Sequence, residues 1–241
     1  MPYEPLIEAF KNCRSAVFFG GAGVSTESGI PDFRSQDGLY NQTYEYPAEV
    51  ILSHDFFWSK TEEFYKFYKK HMIFTQARPN AAHRALAALE RMGKMAAVVT
   101  QNIDGLHQAA GSKTVYELHG SVHRNLCTGC GRRYGLDQIL NAPDIPKCPQ
   151  CGAVIKPDVV LYGEALDERV IEGACRAIEN ADLLVIGGTS LTVYPAASFI
   201  RLFSGKTLAV INRDETQADR RAGIVIHEPV GQVLGSVVER L

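Results

Sequence analysis

Apolar positions along this chain follow two periods that alternate. Residues 4–14 set Leu6, Ile7 and Phe10 on one side at helical spacing. Ala16 to Phe19 is an unbroken apolar run, which predicts a short strand buried on both faces and ending in Gly20-Gly21. Residues 60–74 repeat Phe64, Phe67 and Tyr68 at three to four, and Pro79 to Met92 place Ala82, Leu86 and Leu89 on one face, so both read as helices. Met95 to Thr100 and Thr114 to Leu118 read as strands. Residues 121–157 break this rhythm with cysteines, prolines and little periodicity, which predicts an inserted module. The rhythm then returns. Val159 to Tyr162 reads as a strand end, and 167–180 as a helix with Ile171, Cys175 and Ile178 on one face. Leu183 to Ile186 reads as a buried strand, Pro195 to Phe203 as a helix, Thr207 to Ile211 as a strand and 230–240 as a last helix. Strands alternating with helices imply an α/β fold: a Rossmann-like, doubly wound, mostly parallel sheet.

Composition narrows the class. The 241 residues are 46% hydrophobic and 22% charged, ordinary for a globular protein with a sizeable core. Net charge is −2, with no block of Lys and Arg, so direct nucleic-acid binding is not expected. No apolar run approaches the length of a membrane span, and the N-terminal stretch lacks the apolar core of a secretory signal. A cytoplasmic protein without membrane contact is the expectation. Four of the six cysteines form Cys127-x2-Cys130 and Cys148-x2-Cys151. Four thiolates at this spacing suit one tetrahedral, closed, structural Zn2+. An iron–sulfur site and a nucleic-acid-binding zinc ribbon are the alternatives. Cys13 and Cys175 read as small buried hydrophobes.

Three apolar strands run into polar loops: Gly-Gly-Ala-Gly-Val-Ser after Phe19, Gln-Asn-Ile-Asp-Gly after Thr100, and Gly-Gly-Thr-Ser after Ile186. A fourth, Asn-Arg-Asp, follows Ile211. Ligands of open α/β sheets lie beyond the carboxyl ends of the strands, and four such loops suit one extended dinucleotide. Glycines let backbone amides approach a pyrophosphate, and Arg34 adds a forked donor. Yet Thr26 stands where the third glycine of an ordinary dinucleotide fingerprint would be. A long segment through Phe33 follows instead, able to shield a reactive sugar centre from water.

The motifs GAGVSTESGIPDFR, TQNIDGLHQAAG, ELHG, the paired Cys-x2-Cys, VLYGE, GTSLTVYPAA and VIN occur in that order. Together they resemble the sirtuin family of NAD-dependent protein deacylases, in its bacterial and archaeal core form, over about residues 5 to 238. The resemblance implies a Rossmann-like NAD-binding domain from 1–34, 75–120 and 158–241. A helical module (35–74) and a zinc module (121–157) would form the small domain. It implies that the acetyl-lysine carbonyl attacks the ribose as nicotinamide leaves, and that a histidine then activates a ribose hydroxyl. The products are free lysine and O-acetyl-ADP-ribose. His119, in Glu-Leu-His-Gly, matches that base, and an imidazole titrates near neutrality. Asn102 matches the residue that positions ribose and water. His83 and His107 fall inside predicted helices and read as packing or capping groups.

For the cofactor, Ile103 and Asp104 match the pair that holds the nicotinamide carboxamide, and Gln101 a ribose ligand. Ala22, Gly23, Thr26, Phe33 and Arg34 match the NAD entrance. Gly188, Thr189 and Ser190 match the loop at the adenine-side phosphates, and Asn212 and Val230 the adenosine end. Asn102 and Asp104 could instead cap a helix near Gly105, and Val230 could be core. An acetylated peptide is implied as an extended strand between Val160 to Glu164 and Leu191 to Tyr194, with Val160, Gly163, Glu164 and Val193 as its contacts. Tyr162-Gly163-Glu164 stands where the family more usually has Phe-Gly-Glu. Succinyl- and malonyl-selective relatives carry a Tyr-x-x-Arg pair. Here Tyr65-Lys66-Phe67-Tyr68 takes that place without the arginine, which favours acetyl or longer neutral groups. A monomer, inhibited by nicotinamide, is expected. ADP-ribosyl transfer to protein and a non-catalytic NAD sensor are the rival readings; the missing third glycine disfavours a dehydrogenase.

Overall fold

The computed structural model describes residues 3–35 and 37–241. Met1, Pro2 and Gln36, which the expected domain division includes, lie outside the described residues. The strands are β1 (Ala16–Gly20), β2 (Met95–Thr100), β3 (Val115–Glu117), β4 (Gly120–Cys127), β5 (Arg133–Tyr134), β6 (Ile155–Val159), β7 (Leu183–Gly187), β8 (Thr207–Ile211) and β9 (Ile224–Ile226). The helices are α1 (Glu4–Asn12), α2 (Ala48–Ile51), α3 (His54–Ser59), α4 (Thr61–His71), α5 (Ala81–Arg91), α6 (Leu106–Ala110), α7 (Leu136–Leu140), α8 (Glu168–Glu179) and α9 (Val230–Val238).

Six strands form one sheet in the order β3-β2-β1-β7-β8-β9, and every neighbouring pair is parallel. Parallel strands are covered by helices on both faces, which is why β1 and β7 are buried at every position. On one face Phe18, Val98, Val185 and Ile211 pack against α1, α5 and α9. On the other, Phe19, Val99, Ile186 and Val210 pack against α8 and the 3₁₀ segment Ala196–Leu202. The chain winds from β1 outward to β3, then returns to the opposite side of β1 with β7. The chain therefore leaves β1 and β7 toward opposite sides of the sheet, which opens a crevice at the carboxyl ends.

A second, three-stranded antiparallel sheet has the order β5-β4-β6. Its apolar side joins α2, α3 and α4 in one aromatic cluster that includes Phe57, Phe64, Tyr65, Tyr68 and Ile155. Phe57 and Phe64 meet edge to face with centroids 4.9 Å apart, and Phe64 stacks on Tyr68 at 5.4 Å. The inserted 121–157 stretch and the 35–74 helices thus share one core.

Two expectations need correction. Val159 to Tyr162 does not end a strand of the parallel sheet. Strand β6 pairs antiparallel with β4; beyond it the Val160 amide still reaches the His119 carbonyl, and Tyr162 forms an isolated bridge with Ser53. Within α8, the buried residues are Ala174 and Ile178, with Cys175 half-buried and Ile171 beside the edge of the stripe, because the helix is rotated from the predicted face.

Candidate active site

Every proposed site residue except the four cysteines lines one cavity of about 610 Å³ at the carboxyl edge of the parallel sheet. It runs from Asn212 and Val230, past Gln101, Asn102 and His119, to Val160, Gly163 and Val193. The glycines are required by close approach. The amide of Gly23 donates to the Gly188 carbonyl at 2.9 Å, and a Cβ on Gly23 would stand 2.9 Å from the Gly188 Cα. Gly188 itself has φ +58, and its Cβ would meet the Val24 nitrogen at 2.4 Å. The loops after β1 and β7 are thus packed backbone on backbone. No long helix starts after β1. Two 3₁₀ turns follow, Ala22–Val24 and Thr26–Ser28, and Thr26 donates its hydroxyl to the Gly23 carbonyl at 3.0 Å. The expected third glycine is therefore replaced by a turn-closing hydroxyl.

His119 follows β3, where the Leu118 amide donates to the Thr100 carbonyl at 2.9 Å. The imidazole Nδ1 faces the Gln101 carbonyl at 3.0 Å. A carbonyl only accepts, so Nδ1 carries the proton and Nε2 keeps its lone pair. Burial holds the imidazole below its usual pKa, against a smaller opposite push from the Gln101 carbonyl. Gln101 in turn donates from Nε2 to the Thr189 hydroxyl at 3.1 Å, which ties the β2 loop to the β7 loop.

Asn102 is buried and donates from Nδ2 to Ser25 Oγ at 3.0 Å. Ser25 then donates to Asp104 Oδ2 at 2.6 Å. Burial raises the Asp104 pKa, offset in part by the Ser25 hydrogen bond. The other Asp104 oxygen accepts the Leu106 amide at 2.9 Å, so the capping role foreseen for this residue is real and leaves one oxygen for the chain of polar groups. Ser25 was not among the foreseen residues. Inside a glycine-rich run it reads as one more small polar loop residue, and only its distance from Asn102 and Asp104 reveals it.

Ile103 joins the two halves of the site: its carbonyl accepts the Val122 amide at 3.0 Å, and its side chain packs against the aromatic cluster. Phe33 also leans on that cluster, and Arg34 lies over the Tyr40 ring at 5.3 Å. Val230 is core and cavity wall at once. His83 completes the cap of α5 with Asn80, and His107 packs against it with centroids 4.7 Å apart. Tyr65 and Tyr68 do not line the cavity. They are buried in the aromatic cluster, and the end of α4 presents His71, Met72 and Ile73 instead.

A model of the Sir2 family matches residues 21–195. This chain belongs to the Sir2 family. It is 56% identical over 227 residues to an NAD-dependent protein deacetylase of Clostridium acetobutylicum, covering 93% of each chain. With the NAD-dependent protein deacetylase of Cutibacterium acnes it shares 53% over 239 residues, covering 98% of each. Among solved structures, a Sir2 with a deacetylated p53 peptide and 3′-O-acetyl-ADP-ribose superimposes with a TM-score of 0.92 at 40% identity, over 100% of this chain and 98% of that one. A Sir2 homologue in complex with NAD gives 0.90 at 37%, over 100% and 94%.

Away from the cavity, this Sir2-family chain gathers Cys127, Cys130, Cys148 and Cys151 with all four Sγ atoms within 4.8 Å of one another. Cys127 and Cys151 sulfurs are 3.3 Å apart, and those of Cys130 and Cys148 3.7 Å. Zn–S bonds of about 2.3 Å in a tetrahedron space sulfurs by about 3.8 Å, so the set fits zinc. The Cys130 and then the Gly129 amide, donating at 3.4 Å, hold the Cys127 thiol below its usual pKa, ready to ligate as thiolate. Four protein sulfurs leave no position for water, so the fitted zinc is structural. No helix among the described residues is long and apolar enough to cross a membrane.

Proposed function

We propose that this chain is an NAD-dependent protein-lysine deacetylase that transfers acetyl from lysine to ADP-ribose and releases nicotinamide, O-acetyl-ADP-ribose and free lysine. The observation that carries the reading is His119: its Nδ1 proton is committed to the Gln101 carbonyl, which leaves Nε2 as a base on the cavity wall. NAD supplies the reactive ribose carbon and the leaving nicotinamide. The chain supplies orientation. Asn102, held by Ser25, positions water and ribose, and Asp104 with Ile103 receives the carboxamide. Gly23, Gly188, Thr189 and Ser190 offer backbone and hydroxyl donors to phosphates, and Asn212 and Val230 receive the adenosine end. Free nicotinamide in the Ile103–Asp104 pocket inhibits turnover.

The acetylated peptide enters as an extended strand between the 160–164 and 191–194 segments. Among the described residues the amides of Gly163 and Val193 have no intramolecular partner, which supports strand pairing there. Beside Val160 the cavity is lined by the apolar Met72, Ile73, Val122 and Leu136, while burial keeps His71 below its usual pKa. A neutral acetyl group suits that wall and a carboxylate does not. The division into a sheet-based NAD domain and a small domain, with the cleft between, follows the split between the two sheets and their cores. One chain holds the whole set of residues, so the site needs no second copy, which is compatible with the monomer we propose.

The test is mass spectrometry of the protein with NAD and matched acetyl- and succinyl-lysine peptides, beside His119→Ala. Acetyl loss with equal O-acetyl-ADP-ribose is expected, falling by about a hundred- to ten-thousandfold in the variant. Equal succinyl loss would overturn the acyl preference. ADP-ribose left on protein would replace the reading with ADP-ribosyl transfer.

A further inference from the structure

The family's usual phenylalanine at position 162 is a tyrosine here, and its hydroxyl has a partner. Tyr162 Oη lies 2.6 Å from Tyr40 Oη, across 122 positions of sequence. Tyr162 lines the cavity, and Tyr40 stands behind it, packed on the aromatic cluster beside Phe33. Tyr162 is fixed through its backbone: its amide donates to the Leu52 carbonyl at 2.9 Å, and its carbonyl accepts the His54 amide at 2.9 Å. It adjoins Gly163, whose amide is free for the peptide. Tyr40 belongs to the cofactor-side loop. Its amide donates to the Phe33 carbonyl at 2.9 Å, its ring lies 5.3 Å from that of Phe33, and the Arg34 guanidinium sits 5.3 Å over it. One hydroxyl contact thus links the peptide track to Phe33 and Arg34, two residues of the NAD entrance. Burial, and then the Tyr162 hydroxyl, raise the Tyr40 pKa, so Tyr40 stays a protonated phenol able to share the bond.

We propose that the Tyr162–Tyr40 hydroxyl pair latches the Phe33–Arg34 loop to the peptide-side wall, making Tyr162 a positioning residue for NAD that acts through Tyr40. The proposal rests on the NAD site described above. A phenylalanine at 162 keeps the ring packing and removes only the bond. The pair is partly exposed, so its effect is that of one ordinary hydrogen bond rather than of a buried one.

The test compares Tyr162→Phe, Tyr40→Phe and the double variant with the native chain. Amide hydrogen exchange of residues 32–35 and 37–41 is measured without NAD, and KM and kcat with NAD and acetyl-lysine peptide. Each single variant is expected to speed loop exchange about fivefold and raise the KM for NAD about fivefold, with kcat within about twofold. The double variant should match the singles, because either substitution breaks the same bond. Unchanged loop exchange, effects that add, or a loss confined to kcat would overturn the latch. The exchange reading needs neither cofactor nor turnover, so a protein that fails to deacetylate still tests it. An active enzyme with unaltered exchange would sink the latch alone.

Discussion

The two walls of the cavity are held in shape by opposite means. On the sheet wall, loops after β1, β2 and β7 lock through backbone contact and short polar links: Gly23 on Gly188, Gln101 on Thr189, and Asn102 through Ser25 to Asp104. Beneath them, two apolar layers cover a parallel sheet. The other wall has a small antiparallel sheet, short helices, stacked aromatics and four gathered cysteines. A large sheet can bury enough apolar surface to stand alone, whereas a unit with a three-stranded sheet cannot, and a metal makes up the difference. Precision of the reacting groups therefore resides on the sheet wall, and the small wall depends on an ion far from the chemistry.

The sharpest way to break this contrast is Cys148→Ser. Structural zinc carries on the order of 10 kcal/mol of folding free energy in small domains. The variant should lose zinc and the near-ultraviolet signal of the aromatic cluster, while amides of β1 and β7 stay protected from exchange. Full zinc content with native melting would remove the contrast.

Acid should strike the sheet wall instead. Burial, aided by the nearby Arg84 charge, pushes His83 down to about 4, and burial with His83 beside it pushes His107 down to about 3. The unfolded chain takes up protons below the ordinary value of about 6.5 that the native state refuses. Stability is therefore full above about 6.5 and is lost as pH falls from there toward about 3. Melting temperatures read by calorimetry should decline through that window, and a flat profile would contradict the burial of the pair.

Gly188→Ala tests the backbone lock itself. A methyl group at φ +58, 2.4 Å from the Val24 nitrogen, should cost about 1–3 kcal/mol in chemical denaturation. The smallest effect is kinetic. Burial holds His119 below its usual pKa, so it stays a base to lower pH, and the acid limb of kcat/KM should lie below pH about 6.5. A limb above that value would place the base elsewhere.

These two walls also differed in how far they could be read from sequence. Runs such as Leu183 to Ile186 and Met95 to Thr100 announce buried parallel strands because burial on both faces leaves no polar alternation. The glycine loops stood out for the same reason, as polar breaks directly after apolar runs, whereas His119 was singled out by the likeness of Glu-Leu-His-Gly to a family motif. Strands β4 and β6 did not, since the register shifts between Ser121 and Asn125 and the prolines and cysteines mask any period of two. Strand β9 has three residues, none fully buried, too few to show a period. Ser25 and the fate of Tyr65 and Tyr68 depend on which side chains meet in space, and spacing along one helix does not record that.

One crossing of the chain has a mechanical consequence. Gly120 pairs with Val159, and the next amide, Val160, donates to the His119 carbonyl at 3.0 Å. A Cβ on Gly120 would fall 1.8 Å from the Asp158 carbonyl, so the two passages are pressed together. The proposed base and the first residue of the peptide track are thus rungs of one ladder. If the zinc-bearing unit sways, both rails tilt together, and the spacing between base and substrate is carried along rather than stretched.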